Sequence, residues 1–201
     1  MRRIFAVIAV AAIVLGGAFA RPSLFEQAPP AGGSSAGGNS KVVNFWADVI
    51  RPVHVGDSSV YNLLGNVVFF HNGAIITCDS AIRYNDRRME CFGNVIINQD
   101  QTYVYGDRAD YDGETNMARV YAPIIKMIDG DAIMYTYNFS FNTLDNIGTF
   151  SGGATVRQGE NQLESMKGYY YADSRDFVCV DEVEVKNPDY MLMSASVSYN
   201  L

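Results

Sequence analysis

His54 and His71 are the whole supply of imidazole in this 201-residue chain, so proton-transfer chemistry has few groups to run on. Gly56-Asp57-Ser58 has the opening of a serine esterase motif, yet no Asp and His pair completes a charge relay, and the segment reads as a turn. Asp107, Asp110, Asp112 and Glu114 bring together hard oxygens of the kind a calcium loop uses. In an alternating strand, however, Asp107 faces opposite to Asp110 and Asp112, which makes the cluster a hairpin turn with acidic flanks. Cys78, Cys91 and Cys179 are too widely spaced for a zinc site and too few for a disulfide framework. They read as buried free thiols, with one bridge and a leftover thiol still open in an oxidising compartment. Tyr169, Tyr170 and Tyr171, among thirteen tyrosines, offer faces for sugar stacking, but tyrosine is also a good strand residue with an apolar body and a wet tip. Strand packing is the preferred reading. No catalytic residue, metal ligand or cofactor site emerges, and the chain is read as a non-enzyme.

The elements that would position these residues repeat. Gly65-Asn66-Val67 returns as Gly93-Asn94-Val95, and Cys78-Asp79-Ser80-Ala81 as Gly106-Asp107-Arg108-Ala109, both after 28 residues. Weaker copies begin near Ala122, Gly152 and Asp181 and close with Tyr137, Tyr170 and Tyr199, where the stronger ones have Tyr84 and Tyr111. Each copy alternates apolar and polar residues around a break, as in VVFF, His71-Asn72-Gly73, AIITC. Asp112-Gly113 and Asp129-Gly130 suit two-residue hairpins. Each unit of 28 to 30 residues is therefore two strands, too small to bury an apolar face alone, and the copies must stack around a shared core with an open edge at each end. Val43 and Phe45, Val67 and Phe69, Ile76 and Cys78, and Val95 and Ile97 each put two apolar side chains on one face. Alternation alone leaves open whether that face is a core or a slot.

The N-terminus has the parts of a secretory signal: Arg2 and Arg3, an apolar stretch from Ile4 to Leu15, and the small-x-small site Ala18-Phe19-Ala20. Residues 1–20 are read as a cleaved signal peptide, with a membrane anchor as the alternative. Residues 21–40, rich in Pro, Gly, Ser and Ala, are read as a flexible linker, and residues 41–201 as one domain able to continue beyond Leu201. Loss of the signal would take the net charge from -7 to -9, which argues against a nucleic-acid partner.

The two in-register copies of Gly-Asn-Val followed by Asp-x-Ala, at Asp79-x-Ala81 and Asp107-x-Ala109, resemble the OstA-like family. That family includes the periplasmic lipopolysaccharide transport proteins LptA and LptC and the N-terminal domain of LptD, and the phrasing GNVVFFHNGA, YGDRADYDG and KNPDY is most similar to its Bacteroidetes members. The resemblance implies an all-β jelly roll of two packed antiparallel sheets, located in the periplasm, with lipid A acyl chains in an apolar slot. It also implies edge-strand pairing with LptC-like and LptD-like jelly rolls, or head-to-tail with further copies of the chain. Val43 and Phe45 would then line the slot entrance, with Val67, Phe69, Ile76, Cys78, Val95, Ile97 and Val104 along it. Retention of the membrane anchor would favour an LptC-like over an LptA-like role. The alternative is a β-structured assembly or carbohydrate-binding module with a self-filled core and no lipid cargo. The third and fourth copies have lost Asp-x-Ala, so less regular strands are expected there.

Overall fold

Two successive residues in the left-handed region interrupt the pleat of a strand, and the Gly-Asn pairs of the repeat are such residues. Gly65 and Asn66 have φ of 77° and 44°, and Gly93 and Asn94 have φ of 75° and 45°. Glycine takes this conformation without a Cβ clash, and asparagine tolerates it better than most residues. The computed structural model describes residues 43–55 and 58–201. The signal segment 1–20, the linker 21–40, and Gly56 and Asp57 of the expected turn lie outside the described residues.

The described residues form thirteen strands. They are β1 Asn44–Trp46, β2 Val49–Val55, β3 Ser58–His71, β4 Ala74–Arg83, β5 Arg88–Gln99, β6 Thr102–Asp112 and β7 Met117–Tyr121. Then follow β8 Ile125–Asp129, β9 Ala132–Asn142, β10 Ile147–Gln158, β11 Asn161–Tyr171, β12 Asp176–Asn187 and β13 Tyr190–Asn200. All pairings are antiparallel, and they run as one continuous sheet from β1 and β2, which both pair with β3, to β13. No helix long and apolar enough to cross a membrane occurs among the described residues.

The expected jelly roll arises because this single sheet is folded along a line of bulges. The register slips at Gly65-Asn66 in β3, Gly93-Asn94 in β5, Gly152-Gly153 in β10 and Asp181-Glu182 in β12. In the third copy the same place holds Ala122-Pro123, and the strand breaks into β7 and β8; proline has no N–H to offer a ladder. The irregularity expected from the lost Asp-x-Ala is thus found in the third copy, whereas β10 in the fourth runs through its bulge unbroken. A neighbouring strand secures most corners. Asn66 donates to Asp48 and Asn94 to Asp79, each at 2.8 Å, while Lys167 pairs with Asp181 at 2.8 Å. The in-register Asp79 and Asn94 are therefore two halves of one corner, on adjacent strands.

The turns segregate into two rims. Two-residue turns at 72–73, 100–101, 130–131, 159–160 and 188–189 form a short-turn rim, and four-residue turns at 84–87, 113–116, 143–146 and 172–175 form a long-turn rim. This corrects the hairpin expected at Asp112-Gly113. Asp112 ends β6 and its carboxylate accepts the Glu114 N–H at 2.9 Å, which stabilises a four-residue turn instead. At the other site Asp129 remains in the strand, and Gly130-Asp131 makes the turn. Tyr84 and Tyr137 do not close their copies from inside; both are exposed, and Arg83 and Phe141 hold the inward positions.

A corner glycine gives a direct test. At Gly93 an alanine methyl would combine a left-handed backbone with a Cβ 2.4 Å from Asp79 Oδ2. Gly93→Ala is expected to cost about 1–2 kcal/mol in urea unfolding. Adding Asp79→Ala should recover only the steric share of that loss.

Candidate functional site

Pairing across the sheet aligns one inward row of apolar side chains. Phe45 stands opposite Phe69, Phe69 opposite Ile76, Ile76 opposite Ile97, and Ile97 opposite Val104. The row continues from Val104 to Met127, Met134, Val156, Leu163, Val185 and Leu192 without a polar interruption. Ten steps of about 4.8 Å make a track roughly 48 Å long. Of the residues expected from the sequence, Phe45, Phe69, Ile76, Ile97 and Val104 form its first part. Val67, Cys78 and Val95 lie one inward position nearer the corner, and Val67 pairs with Cys78. Val43 precedes β1, and its N–H bonds the Asp86 carbonyl at 3.1 Å on the long-turn rim.

Sequence reasoning stopped at Val104 and missed the six residues beyond it. The repeat could have found them, because Ile97, Met127, Val156 and Val185 follow one another at 29 or 30 residues, as do Val104, Met134, Leu163 and Leu192. The interior is occupied by these side chains themselves: the row from Phe69 to Val185 is buried. Only its ends open. Phe45 is half-buried, with the Arg83 guanidinium 4.8 Å above its ring, and Leu192 is 46% exposed because β13 has a neighbour on one side only. All three cysteines are buried free thiols, and the Cys78 thiol donates to the Ser80 carbonyl at 3.2 Å.

The second feature is a polar seam where the two rims meet. An eleven-residue strand such as β6 would be roughly 36 Å long if straight, so contact between its ends and those of other strands requires the fold at the corner. His71 Nδ1 lies 2.6 Å from the Tyr111 hydroxyl, which lies 2.9 Å from Thr143 Oγ1. Asn72 donates to Asn116 at 2.6 Å. Gln99 donates to the Thr143 carbonyl at 3.1 Å and to the Asn146 side chain. Tyr170 donates to Asp129, which Arg175 also reaches at 3.2 Å. Finally Tyr199 donates to Gln158 at 2.8 Å. His71, Gln99, Asp129 and Gln158 each directly precede a short turn, so the repeat governs the seam as it governs the apolar row.

Burial pushes the Tyr111 hydroxyl from its ordinary value near 10 up to about 12, against the Thr143 hydrogen bond, which lowers it. Burial, followed by donation to Asp129, raises Tyr170 as well. A raised folded value means that the neutral form is favoured on folding. This stability is fully present below pH 10 and is lost as pH rises through the folded value. Unfolding free energy should therefore fall above pH 10, by at most about 1.4 kcal/mol per pH unit for each tyrosine. Denaturant melts from pH 9 to 12 measure it, and Tyr111→Phe should flatten the slope.

The acidic cluster has protein partners. Asp110 accepts from Arg108 at 2.8 Å and from Tyr121 at 3.0 Å, and no group of three or more metal-ligating side chains occurs among the described residues. A groove of about 590 Å³ on the C-terminal half is lined by Ile124, Tyr135, Tyr137, Met166, Glu182 and Met193 among others.

A family described as OstA-like protein matches residues 39–195. Among solved structures, one similar chain is LptH of Pseudomonas aeruginosa, described as the LptA homologous periplasmic component of the conserved lipopolysaccharide transport device. It aligns with a TM-score of 0.47 at 16% identity, over 54% of this chain and 81% of that one. No curated protein matches the chain. With the family match extending over most of its length, the chain belongs to the OstA-like family.

Proposed function

We propose that this protein is a non-enzymatic carrier that moves lipopolysaccharide across the periplasm toward the outer membrane by holding its lipid A acyl chains against the apolar row. The unbroken row from Phe45 to Leu192 is the observation that carries this reading. Each methylene removed from water contributes about 0.8 kcal/mol, so a chain of a dozen carbons gains roughly 10 kcal/mol. The row from Phe69 to Val185 is buried by the protein's own side chains, so loading requires those contacts to open and offsets part of this gain. The chain's net charge of -7 disfavours a close grip on anionic phosphates, so the head group stays in solvent while the tails are held.

The β13 edge supports assembly with other jelly rolls, LptC-like or LptD-like, or with another copy. On β13, Tyr190, Met191, Leu192 and Met193 are exposed, and nothing on that strand carries a charge or a proline to discourage pairing. The opposite edge is partly blunted, since β2 contains Arg51 and Pro52.

A photo-crosslinking residue at Phe45 or Phe69 should capture lipopolysaccharide in living cells, and an organic extract of purified protein should contain lipid A chains by mass spectrometry. A clean extract with no capture at either position would leave the self-filled assembly module as the better reading.

A further inference from the structure

We propose that two copies of this chain join tail to tail, β13 against β13, in an antiparallel pair whose two-fold axis passes through the corner between Ala195 and Ser196. This rests on the edge assembly described above, adds its partner and direction, and holds whether or not lipid is carried. Three observations support it.

The first is strand direction. β1 and β2 both pair antiparallel with β3, and with Asn44 opposite Phe70, beside the turn at 72–73, they run from the short-turn rim toward the long-turn rim. β13 begins at Tyr190, just after the short turn at 188–189, and runs the same way. A copy added head to tail, its β1 and β2 against β13 with the interiors aligned, would therefore meet β13 in parallel. Every pairing among the described strands is antiparallel, and a parallel ladder is less stable per residue. Pro52 also removes one N–H from β2. A two-fold axis at β13 reverses one strand and restores the antiparallel pair.

The second is register. Leu192, Ser194, Val197 and Tyr199 stand opposite the buried Val185, Val183, Cys179 and Phe177 of β12, so inward positions switch from even to odd numbers across Ala195-Ser196. Pairing about that point sets Leu192 opposite Tyr199 of the second copy and Ser194 opposite Val197, inward against inward. Met193 then meets Ser198, and Met191 meets Asn200, outward against outward. The backbone agrees. Leu201 N–H bonds to the Arg175 carbonyl at 3.0 Å, so by alternation Tyr199 and Val197 also bond toward β12, and Ser198 and Asn200 turn their N–H and C=O groups to the free edge. Before the corner, Tyr190 and Asn187 close a two-residue turn, which leaves Met191 and Met193 facing that edge. In a straight strand, neighbours point to opposite faces, and self-pairing about a point between two residues would set inward against outward. The corner changes face and hydrogen-bond direction together and removes that mismatch.

The third is chemistry. β13 has no charged residue, so self-pairing opposes no like charges even though the chain carries a net charge of -7. Met193, at 75%, is the most exposed large apolar side chain among the described residues, and Met191 follows it. Because a two-fold pair uses the same edge twice, assembly stops at two copies.

The test links exposed outward positions in the full chain. Met193→Cys and Ser198→Cys proteins, mixed and treated with a short bis-thiol-reactive linker, should give a linked dimer. The parent's three thiols are buried and should not react. Met193→Cys mixed with Trp46→Cys reports the head-to-tail arrangement, because Trp46 and Met193 end one outward row that crosses the whole sheet. Ser198→Pro removes one edge-facing N–H and spares the bonds to β12, so it should keep the parent's circular dichroism spectrum while weakening dimerisation at least tenfold in sedimentation. Linking of residue 193 to 46 and not to 198, or an unweakened dimer in Ser198→Pro, overturns the tail-to-tail pair. A chain that stays monomeric, with no linked product from either mixture, overturns pairing with a second copy altogether. Lipid capture at Phe69 is a separate measurement, and the carrier reading stands or falls on it alone.

Discussion

Gly168→Ala is expected to destabilise the protein by about 3 kcal/mol or more, lowering the melting temperature by roughly 6–12 °C for a domain of this size. Gly168 lies on β11 opposite Phe150 on β10 and Cys179 on β12. A Cβ at this position would sit 2.3 Å from the Val178 carbonyl oxygen and 2.5 Å from Phe150 Cζ. The first contact is backbone within a central ladder, so it cannot be relieved by a rotamer change. The second is a ring that covers the glycine and is held from its other side by Phe177, at a centroid distance of 6.4 Å. Two other glycines calibrate the effect. At Gly148 the nearest atoms to an added Cβ belong to the Phe139 ring, at 2.7 and 2.9 Å, so the cost should be smaller because a side chain can shift. At Gly73 nothing lies within 4 Å, and only the φ of +84° opposes alanine. The expected order is Gly168, then Gly148, then Gly73; a Gly168→Ala melt within 2 °C of the parent would show that the packing there is loose.

How far the sequence reveals this arrangement depends on whether a signal is local. The repeat of Gly65-Asn66 and Gly93-Asn94 was legible, but that it marks the corners was not, because the left-handed backbone at these residues shows only in the folded strands. Nor was the role of Asp79, because its partner Asn94 belongs to the next strand and is found only when β4 and β5 are placed side by side. The apolar row could be read as far as Ile97 from alternation, and Val104 was added only by the family resemblance. Its continuation through Met127 and Met134 needed the repeat to be carried through a copy whose Gly-Asn had become Ala122-Pro123. The seam was the least accessible part. His71, Gln99 and Asp129 are polar residues at inward positions, where alternation leads one to expect apolar ones, and only the meeting of two rims gives each a partner. The hairpin misread at Asp112-Gly113 has the same origin: the dipeptide permits a two-residue turn, but the Asp112 carboxylate caps a longer one.

The seam also supplies the other large expected effect, at Asp129. Its carboxylate is buried, accepts the Tyr170 hydroxyl, and meets Arg175 Nε and a terminal guanidinium nitrogen, each at 3.2 Å. Asp129→Ala removes an acceptor from a buried hydroxyl and the counter-charge from a guanidinium in one step. Breaking a buried ion pair by deleting one partner typically costs 3–5 kcal/mol. Here the lower end, about 3 kcal/mol, is expected, because the Arg175 side chain is 36% exposed and can turn to water, leaving Tyr170 with Thr102 at 3.3 Å as its remaining partner. Asp129→Asn keeps the size and an oxygen acceptor for Tyr170 while removing the charge, and should cost about half as much. A double-mutant cycle with Tyr170→Phe separates the two contributions: the hydroxyl's share disappears when both changes are combined, and the Arg175 share remains. Denaturant unfolding of the four proteins gives the cycle directly. Strict additivity of Asp129→Ala and Tyr170→Phe would mean that the two groups do not act through their hydrogen bond, and that the rims are held together at this rung by Arg175 alone.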